Sequence, residues 1–340
     1  MTTLINQQIL LASRPRAEPG LDNFRLVEAA VPSLGDGQVL VRHHFLSLDP
    51  YMRGRMNDGR SYAQPQELDQ VMGGGTVGEV IESRHPSFAA GDKVLGMGGW
   101  QQYSVVDAAT PGLLRKVDAA QVPLSAYLGV VGMPGVTAWY GLTQIIAPKA
   151  SETLVVSAAS GAVGSAVGQL AKARGCRVVG IAGGAEKCGY TVDQLGFDAC
   201  IDYKVHRDTA ALIDALKGAA PNGIDGLFEN VGGVVMDAVM ACMNDFGRIA
   251  VCGMISGYNG EPIPMAAPQL ILRSRLKVQG FIVGEHRQFW PDALAELARG
   301  VTSGSLKYRE TVAEGLANAP EAFLGLLKGR NFGKQLVKLV

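Results

Sequence analysis

The sequence predicts an α/β protein, a doubly wound parallel sheet accompanied by a second, β-rich domain. Three observations predict it. Six short apolar runs with little alternation recur through the middle of the chain, the pattern of strands covered on both faces. The first of them leads through a glycine turn into an amphipathic helical pattern. The residues before about position 127 instead carry short β-branched runs divided by Gly and Asp turns, as in a small barrel or sandwich. A length of 340 residues suits two domains of this kind.

In the β-rich part the strands are expected in "GQVLVRHHFLSLD" (37–49), "GGGTVGEVIES" (73–83), "GDKVLGMGG" (91–99) and "QQYSVVD" (101–107). The parallel sheet is expected from "TLVVS" (153–157), "RVVGIA" (177–182), "ACIDY" (199–203), "GLFENV" (226–231), "RIAVCG" (248–253) and "KVQGFIV" (277–283). Most gaps between these runs can hold a crossover helix. In the first gap Val163, Ala166, Val167, Leu170 and Ala171 fall on one helical face. The closing "PEAFLGLLKGRNFGKQLVKLV" (320–340) ends in a strand-like run that is expected to return to the first domain. The domains are therefore placed at 1–127 with 304–340, and at 128–303.

Composition excludes several classes of function. The chain is 47% hydrophobic and 18% charged with a formal net charge of zero, and it has no long run of Lys and Arg. Nothing here points to nucleic acid or to an anionic membrane surface. "MTTLINQQILLASRPR" has neither the basic start nor the apolar stretch of a signal peptide. "LGVVGMPGVTAWYGL" (128–142) is too short to span a bilayer and contains Gly and Pro. Cytoplasmic residence is the default expectation. The five cysteines, Cys176, Cys188, Cys200, Cys242 and Cys252, are odd in number and form no C-x-x-C pair. They read as small buried residues in a reducing compartment.

The glycine turn lies in "LVVSAASGAVGSAVGQLAK" (154–172). Ala159 stands where the first Gly of G-x-G-x-x-G belongs, and Gly161 and Gly164 follow in register. Such a turn exposes the first N–H groups of a helix, which together with the helix dipole favour a pyrophosphate. Gly161 admits a ligand close to the backbone, Gly164 and Gly168 admit the helix close to the sheet, and Ala159 suffices if its φ is negative. A purely structural turn is the alternative; the preceding buried strand and the following helix favour a dinucleotide. NAD-binding forms place an acid at the end of the second strand to grip the ribose 2′-OH. Here "GIAGGAEK" (180–187) offers no carboxylate at the strand end and Lys187 shortly after it, which selects NADP. The competing account makes Lys187 a solvated surface residue, and Glu186 beside it weighs against a phosphate.

Seven motifs in order carry a resemblance over essentially the whole chain: "LSLDPYMRGRM" (46–56), "GGGTVGEVIES" (73–83), "GMPGVTAWYGL" (132–142), "AASGAVGSAVGQLAK" (158–172), "FENVGG" (228–233), "CGMISGYN" (252–259) and "GRNFGKQLVKLV" (329–340). The chain resembles the zinc-independent medium-chain reductases of the leukotriene hydroxydehydrogenase/prostaglandin reductase group, with the plant alkenal double-bond reductases and bacterial curcumin reductase. The resemblance implies a GroES-like catalytic domain, a Rossmann domain, NADPH, and reduction of a C=C bond conjugated to a carbonyl. It puts pyrophosphate contacts on Ser160, Gly161, Ala162, Val163 and Gly164, and 2′-phosphate contacts on Lys187 and Tyr203. Asn230, the segment Cys252, Gly253, Met254, Ile255, Ser256 and Tyr258, the segment from Phe281, Ile282 and Val283 to Arg287, and Asn331 would line the rest of the site. Met133 and Thr137 would face the nicotinamide. Gly257 and "FIVGEHRQFW" depart from the group's common pattern and leave the substrate pocket less defined than the cofactor site.

Zinc alcohol dehydrogenases of the same superfamily carry a Cys ligand in the first loop and a G-H-E motif; "LSLDPYM" and "MGGGTVG" carry neither, so no metal is expected. His43 and His44 are adjacent on a strand, point to opposite faces and make a poor ligand pair. Without zinc as Lewis acid, another electrophile must stabilise the enolate that forms as hydride reaches the β-carbon. A neutral tyrosine hydroxyl suits both that task and proton delivery. Tyr258, following the fifth strand of the sheet, is the first candidate. Tyr51 is the second, either packed within "DPYM" or turned to substrate, and Tyr62 in "GRSY" is a substrate contact. A quinone reductase is the alternative within the fold, and a non-catalytic NADPH-binding sensor or scaffold the alternative of another class. The resemblance further implies a homodimer paired through "KVQGFIV".

Overall fold

The computed structural model describes residues 4–110, 112–260 and 262–340, so the reading of the N-terminus falls in part on residues 1–3, outside the described residues. The chain divides into two compact units, Met1–Gly129 with Glu310–Val340, and Val130–Arg309.

In chain order the first unit contains β1 (Ile5–Leu11), β2 (Phe24–Ala30), β3 (Gln38–Ser47), α1 (Tyr51–Arg55), β4 (Thr76–Ser83), β5 (Lys93–Gly96), β6 (Tyr103–Asp107) and β7 (Leu114–Lys116). The second contains α2 (Met133–Tyr140), β8 (Thr153–Ser157), α3 (Gly164–Ala173), β9 (Arg177–Ala182), α4 (Ala185–Asp193), β10 (Ala199–Asp202), α5 (Thr209–Ala219), β11 (Ile224–Glu229), α6 (Gly233–Ala241), β12 (Met243–Val251), α7 (Gln269–Arg273), β13 (Lys277–Gly280) and α8 (Trp290–Thr302). The chain then re-enters the first unit with β14 (Glu310–Glu314), α9 (Ala319–Leu327) and β15 (Lys334–Lys338).

The second unit is a six-stranded sheet in the order β10-β9-β8-β11-β12-β13. Every pairing in it is parallel. All five residues of β8 are buried, which is why "TLVVS" shows no alternation. On one face Val155, Val179, Ile181, Leu227 and Ile249 pack under Leu212, Leu216, Val235 and Val239 of α5 and α6. α5 starts where Asp208 accepts the Ala211 N–H at 2.8 Å, an N-cap that uses an otherwise orphaned donor.

Strand ends were set by chemistry that a hydrophobic run does not reveal. "ACIDY" stops at Asp202, whose carboxylate accepts the N–H groups of Gly184 and Lys204 at 2.8 and 2.9 Å. "KVQGFIV" stops at Gly280 because Phe281 turns inward onto Phe228 and Tyr140. α2 widens into one π-helical turn, Gly141–Ile146, where a side chain at Gly141 would meet the Phe228 ring at 2.5 Å.

The first unit is β-rich. Its main sheet runs β14-β15-β3-β4-β5-β7, with β6 on β3, and β1-β2 form a separate antiparallel pair. Trp100 is fully buried at its centre, stacked on Phe24 (5.5 Å, 7°) and edge-on to Phe323 of α9 (5.6 Å). β15 fills the position between β14 and β3. Lys334 fixes it there. Its Nζ donates to the Leu48 carbonyl and to Asp49 Oδ1, each at 2.7 Å, with both side chains less than a tenth exposed.

Candidate functional site

The strand order of the second unit reverses between β8 and β11, from which the connections run outward in opposite directions. Such a switch point opens a crevice at the carboxyl ends of the strands, where ligands bind. The turns at that edge are built from residues in the left-handed region: Ala158 (φ 49°) after β8, Gly184 (φ 101°) after β9, and Gly232 and Gly233 (φ 79° and 57°) after β11.

The turn after β8 explains the missing glycine. The left-handed residue is Ala158, one place earlier than the fingerprint's first Gly, and Ala159 is not among the described residues of positive φ. Ala159 is fully buried, so its small side chain belongs to the sheet's packing. A Cβ on Gly164 would lie 2.5 Å from the Ala158 carbonyl oxygen, and one on Gly168 would lie 1.9 Å from the Phe197 ring. These two glycines let α3 approach the sheet. A Cβ on Gly161 would come within 3.1 Å of the same Ala158 oxygen. Ser160 is buried, while Gly161, Ala162 and Val163 are half-buried at the start of α3. The result is a glycine turn leading directly into the N-terminus of α3, the kind of turn that suits a pyrophosphate.

At the ends of β9 and β10 the site is basic. No carboxylate ends β9; Ala182 does, followed by Gly183 and Gly184. The Tyr203 ring lies against Gly183, where a Cβ would be 2.8 to 3.0 Å from it, and the Tyr203 N–H donates to the Ala182 carbonyl. Burial first, and then the neighbouring Lys204 ammonium, lower the pKa of Lys187, while Glu186 opposes them. Two ammonium groups thus meet at this corner. Lys204 was not singled out from sequence; its signal was its place directly after Tyr203. Asp202, the one acid at these strand ends, is committed to two backbone N–H groups and so shapes the turn.

The turn after β11 holds the group that sequence reasoning missed altogether. Glu229 is fully buried, and its Oε1 accepts from Ser157 Oγ at 2.7 Å, from the Gly232 N–H at 2.9 Å and from the Val231 N–H. Its Oε2 has no protein partner. Burial pushes its pKa up, against the hydrogen bonds that pull it down. A charged residue closing an otherwise apolar run was the available signal. Glu229 ties β8 to β11 and orients the turn that leads into α6. The Asn230 N–H donates to Ser157 Oγ and its side-chain amide to the Ser157 carbonyl, both at 2.8 Å. Cys252 and Gly253 donate their N–H groups to the Glu229 carbonyl, Ile255 to Asn230 and Ser256 to Val231. Cys252 to Ser256, with Met254 inside this span, therefore runs along the end of β11. Tyr258 caps the short turn beyond it, and a Cβ on Gly253 would lie 2.9 Å from its hydroxyl. Tyr258 Oη is thereby set over the end of β12.

Other sequence candidates sit differently. Thr137 Oγ1 donates to the Met133 carbonyl one turn back on α2 at 2.8 Å. Phe281 belongs to the core, Ile282 is half-buried, and the Val283 carbonyl accepts from Trp290 Nε1, so this segment could offer a ligand mainly its backbone. Asn331 is in the first unit, its amide on the Gly333 carbonyl at 2.8 Å. Tyr51 opens α1 there, with the Arg55 guanidinium 4.9 Å from its ring centre. Burial first, and then the Asp49 carboxylate, push the Tyr51 phenol well above the usual tyrosine range. Tyr62 is 58% exposed. His43 is buried on one face of β3 with Nε2 2.8 Å from Ser104 Oγ, and His44 is on the other face.

Comparison with known proteins places this architecture. Residues 7–113 match a family model described as the N-terminal domain of oxidoreductases, and residues 162–299 match one described as zinc-binding dehydrogenase. Among the described residues no group of three His, Cys, Asp or Glu side chains could hold a metal ion. The chain is 48% identical over 98% of its length to the NADPH-dependent curcumin reductase of Escherichia coli, covering 97% of that protein. It is 42% identical to the NADP-dependent 2-alkenal reductase of Nicotiana tabacum, with 98% and 97% of the two chains covered. The structure of CurA from Vibrio vulnificus in complex with NADPH matches with a TM-score of 0.92 at 46% identity, over 98% of this chain and 99% of that one.

Proposed function

The chain belongs to the zinc-independent medium-chain dehydrogenase/reductases, in the group of the curcumin, 2-alkenal and prostaglandin reductases, and on that premise we propose that it uses NADPH to reduce the C=C bond of α,β-unsaturated aldehydes and ketones. The observation that carries the reading is the 48% identity, over nearly the whole of both chains, to a relative named for NADPH-dependent curcumin reduction.

The residues fit the cofactor. Ser160 to Gly164 would hold the pyrophosphate, and Lys187, Tyr203 and the neighbouring Lys204 the 2′-phosphate. Asn230, Cys252 to Ser256, the backbone of Phe281 to Val283, Met133 and Thr137 would line the nicotinamide end. When bound, NADPH supplies a hydride to the carbon β to the carbonyl. Tyr258 Oη donates a hydrogen bond to the carbonyl oxygen, where negative charge gathers, and is the first choice to supply the proton of the α-carbon. Tyr51 is the second donor; like any tyrosine it is protonated at neutral pH, and burial only adds to that. Tyr62 contacts the substrate.

Turnover of NADPH and NADH with a panel of enones, alkenals and quinones tests the reading. The saturated ketone, identified by mass and NMR, is the expected product of a simple enone. An allylic alcohol refutes the reaction class, preference for quinones favours the alternative acceptor, and no turnover leaves the sensor reading. No helix among the described residues is long and apolar enough to cross a membrane, and cytoplasmic residence fits the five free cysteines. A homodimer is proposed through β13, an edge strand with Val278 36% exposed. Light scattering at micromolar concentration that returns a monomer removes it.

A further inference from the structure

Two of the five thiols lie together. Cys188 Sγ and Cys200 Sγ are 3.0 Å apart, one on α4 and the other on β10, and both residues are half-buried. A disulfide needs its sulfurs about 2.05 Å apart, so closure asks for a movement of about 1 Å. We propose that Cys188 and Cys200 form a peroxide-oxidisable dithiol whose disulfide weakens binding at the adjoining 2′-phosphate corner. The functional half of this proposal rests on the NADPH reading of that corner.

The surroundings divide the labour between the two sulfurs. The Cys200 thiol donates toward Cys188 Sγ and draws Cys188 below the ordinary thiol range, against burial and the nearby Asp202 carboxylate. Cys200 is pushed well above it by the same contact and by burial. Cys176 and Cys242 are raised by burial, and Cys252 is pushed up to about 12. Cys188 is thus the nucleophile of the set. Its thiolate attacks hydrogen peroxide, the O–O bond breaks, and one oxygen leaves as hydroxide that takes up a proton to become water. The resulting sulfenic acid is attacked by Cys200, which gives up its proton. The S–O bond breaks, a second water leaves and the S–S bond forms. Two thiols have lost two electrons and two protons to one peroxide.

The place of the pair gives it its effect. Cys188 is the residue after Lys187, and Cys200 is two residues before Asp202, whose carboxylate holds the Gly184 and Lys204 backbones. A cross-link draws α4 toward β10 and moves Lys187 relative to Lys204 and Tyr203. A phosphate held by charge-assisted hydrogen bonds is sensitive to such a shift.

The test uses the whole reduced protein, treated with near-stoichiometric hydrogen peroxide, alkylated and digested, alongside NADPH affinity measured from the fluorescence of the bound dinucleotide. The expected result is loss of two of the five free thiols, a Cys188–Cys200 linked peptide lighter by two hydrogens, and an NADPH Kd raised by about fivefold or more. Dithiothreitol should reverse all three. Cys200→Ser should retain Cys188 as a sulfenic acid that reacts with dimedone, form no cross-link and keep its Kd within about twofold after peroxide. If that variant does not fold, the peptide map of the native chain decides. A map without the linked peptide overturns the proposal, and so does a linked peptide with Kd unchanged. If the reduced protein fails to bind NADPH, the nucleotide reading falls and takes the functional half with it, while the peptide map still decides the cross-link.

Discussion

Lys187 separates the phosphate reading from the surface reading at the scale of one residue. Lys187→Ala should weaken NADPH binding by about 1.5–3 kcal/mol through loss of a charge-assisted bond, and NADH binding should hardly change. Calorimetry that shows equal losses for the two cofactors refutes its part in cofactor choice. Tyr258→Phe keeps the ring and removes the hydroxyl that lies against Gly253. It should lower kcat by roughly 10- to 1,000-fold, the scale of one positioned donor, with NADPH affinity changed only a few-fold; an unchanged kcat moves the role to Tyr51. His43 has a part in stability. Burial first, and then His44, lower its pKa to about 3. The unfolded chain therefore binds this proton more readily than the folded one. The contribution is complete above the unfolded value of about 6.5 and is lost as pH falls toward 3, with a slope of up to about 1.4 kcal/mol per pH unit. Urea titrations of the native chain and of His43→Gln across that window should show a shallower loss in the variant. Parallel slopes would show that His43 is not the group.

At the scale of elements, α3 depends on two absent side chains. Gly168→Ala would put a methyl 1.9 Å from the ring of Phe197, which is itself buried. The cost should be about 1–3 kcal/mol, the range for overpacking a core, read as a shift of the denaturation midpoint at constant m-value. No shift would mean that the helix can move away from the sheet freely. The strands of the parallel sheet were legible because burial on both faces leaves continuous apolar runs, as in β8 and β9. The pair β1-β2 was not legible, since Asn6, Gln7 and Gln8 interrupt the apolar pattern and Asn6 is buried by hydrogen bonding to Gln101 and Tyr103, far away in sequence. The π-helical turn was hidden for a similar reason. It follows from the way Gly141 meets Phe228 of β11 and Phe281 just past the end of β13. In the candidate site the glycine turn and Lys187 could be read locally. Glu229 could not be interpreted, because its three donors come from β8 and from a turn that exists only once the sheet has formed.

Across the whole molecule, the two units are unequal in how the chain builds them. The unit Val130–Arg309 is continuous, whereas the other takes β14, α9 and β15 from residues 310–340. Lys334→Ala should cost about 3–5 kcal/mol, since it strands the buried Asp49 carboxylate; a change under about 1 kcal/mol would mean that water compensates. The position of β15 between β14 and β3 also sets a timetable for synthesis. A ribosome releases β1 to β7 first, then all of the parallel sheet, and only afterwards the strand that covers the β3 edge. Domains generally fold as they emerge, so the nucleotide-binding unit closes while the first-made third of the nascent chain still waits with an open strand edge. Chains arrested after Arg309 should accordingly be protease-resistant in their second unit and cleaved in their first, and release of the final residues should protect both.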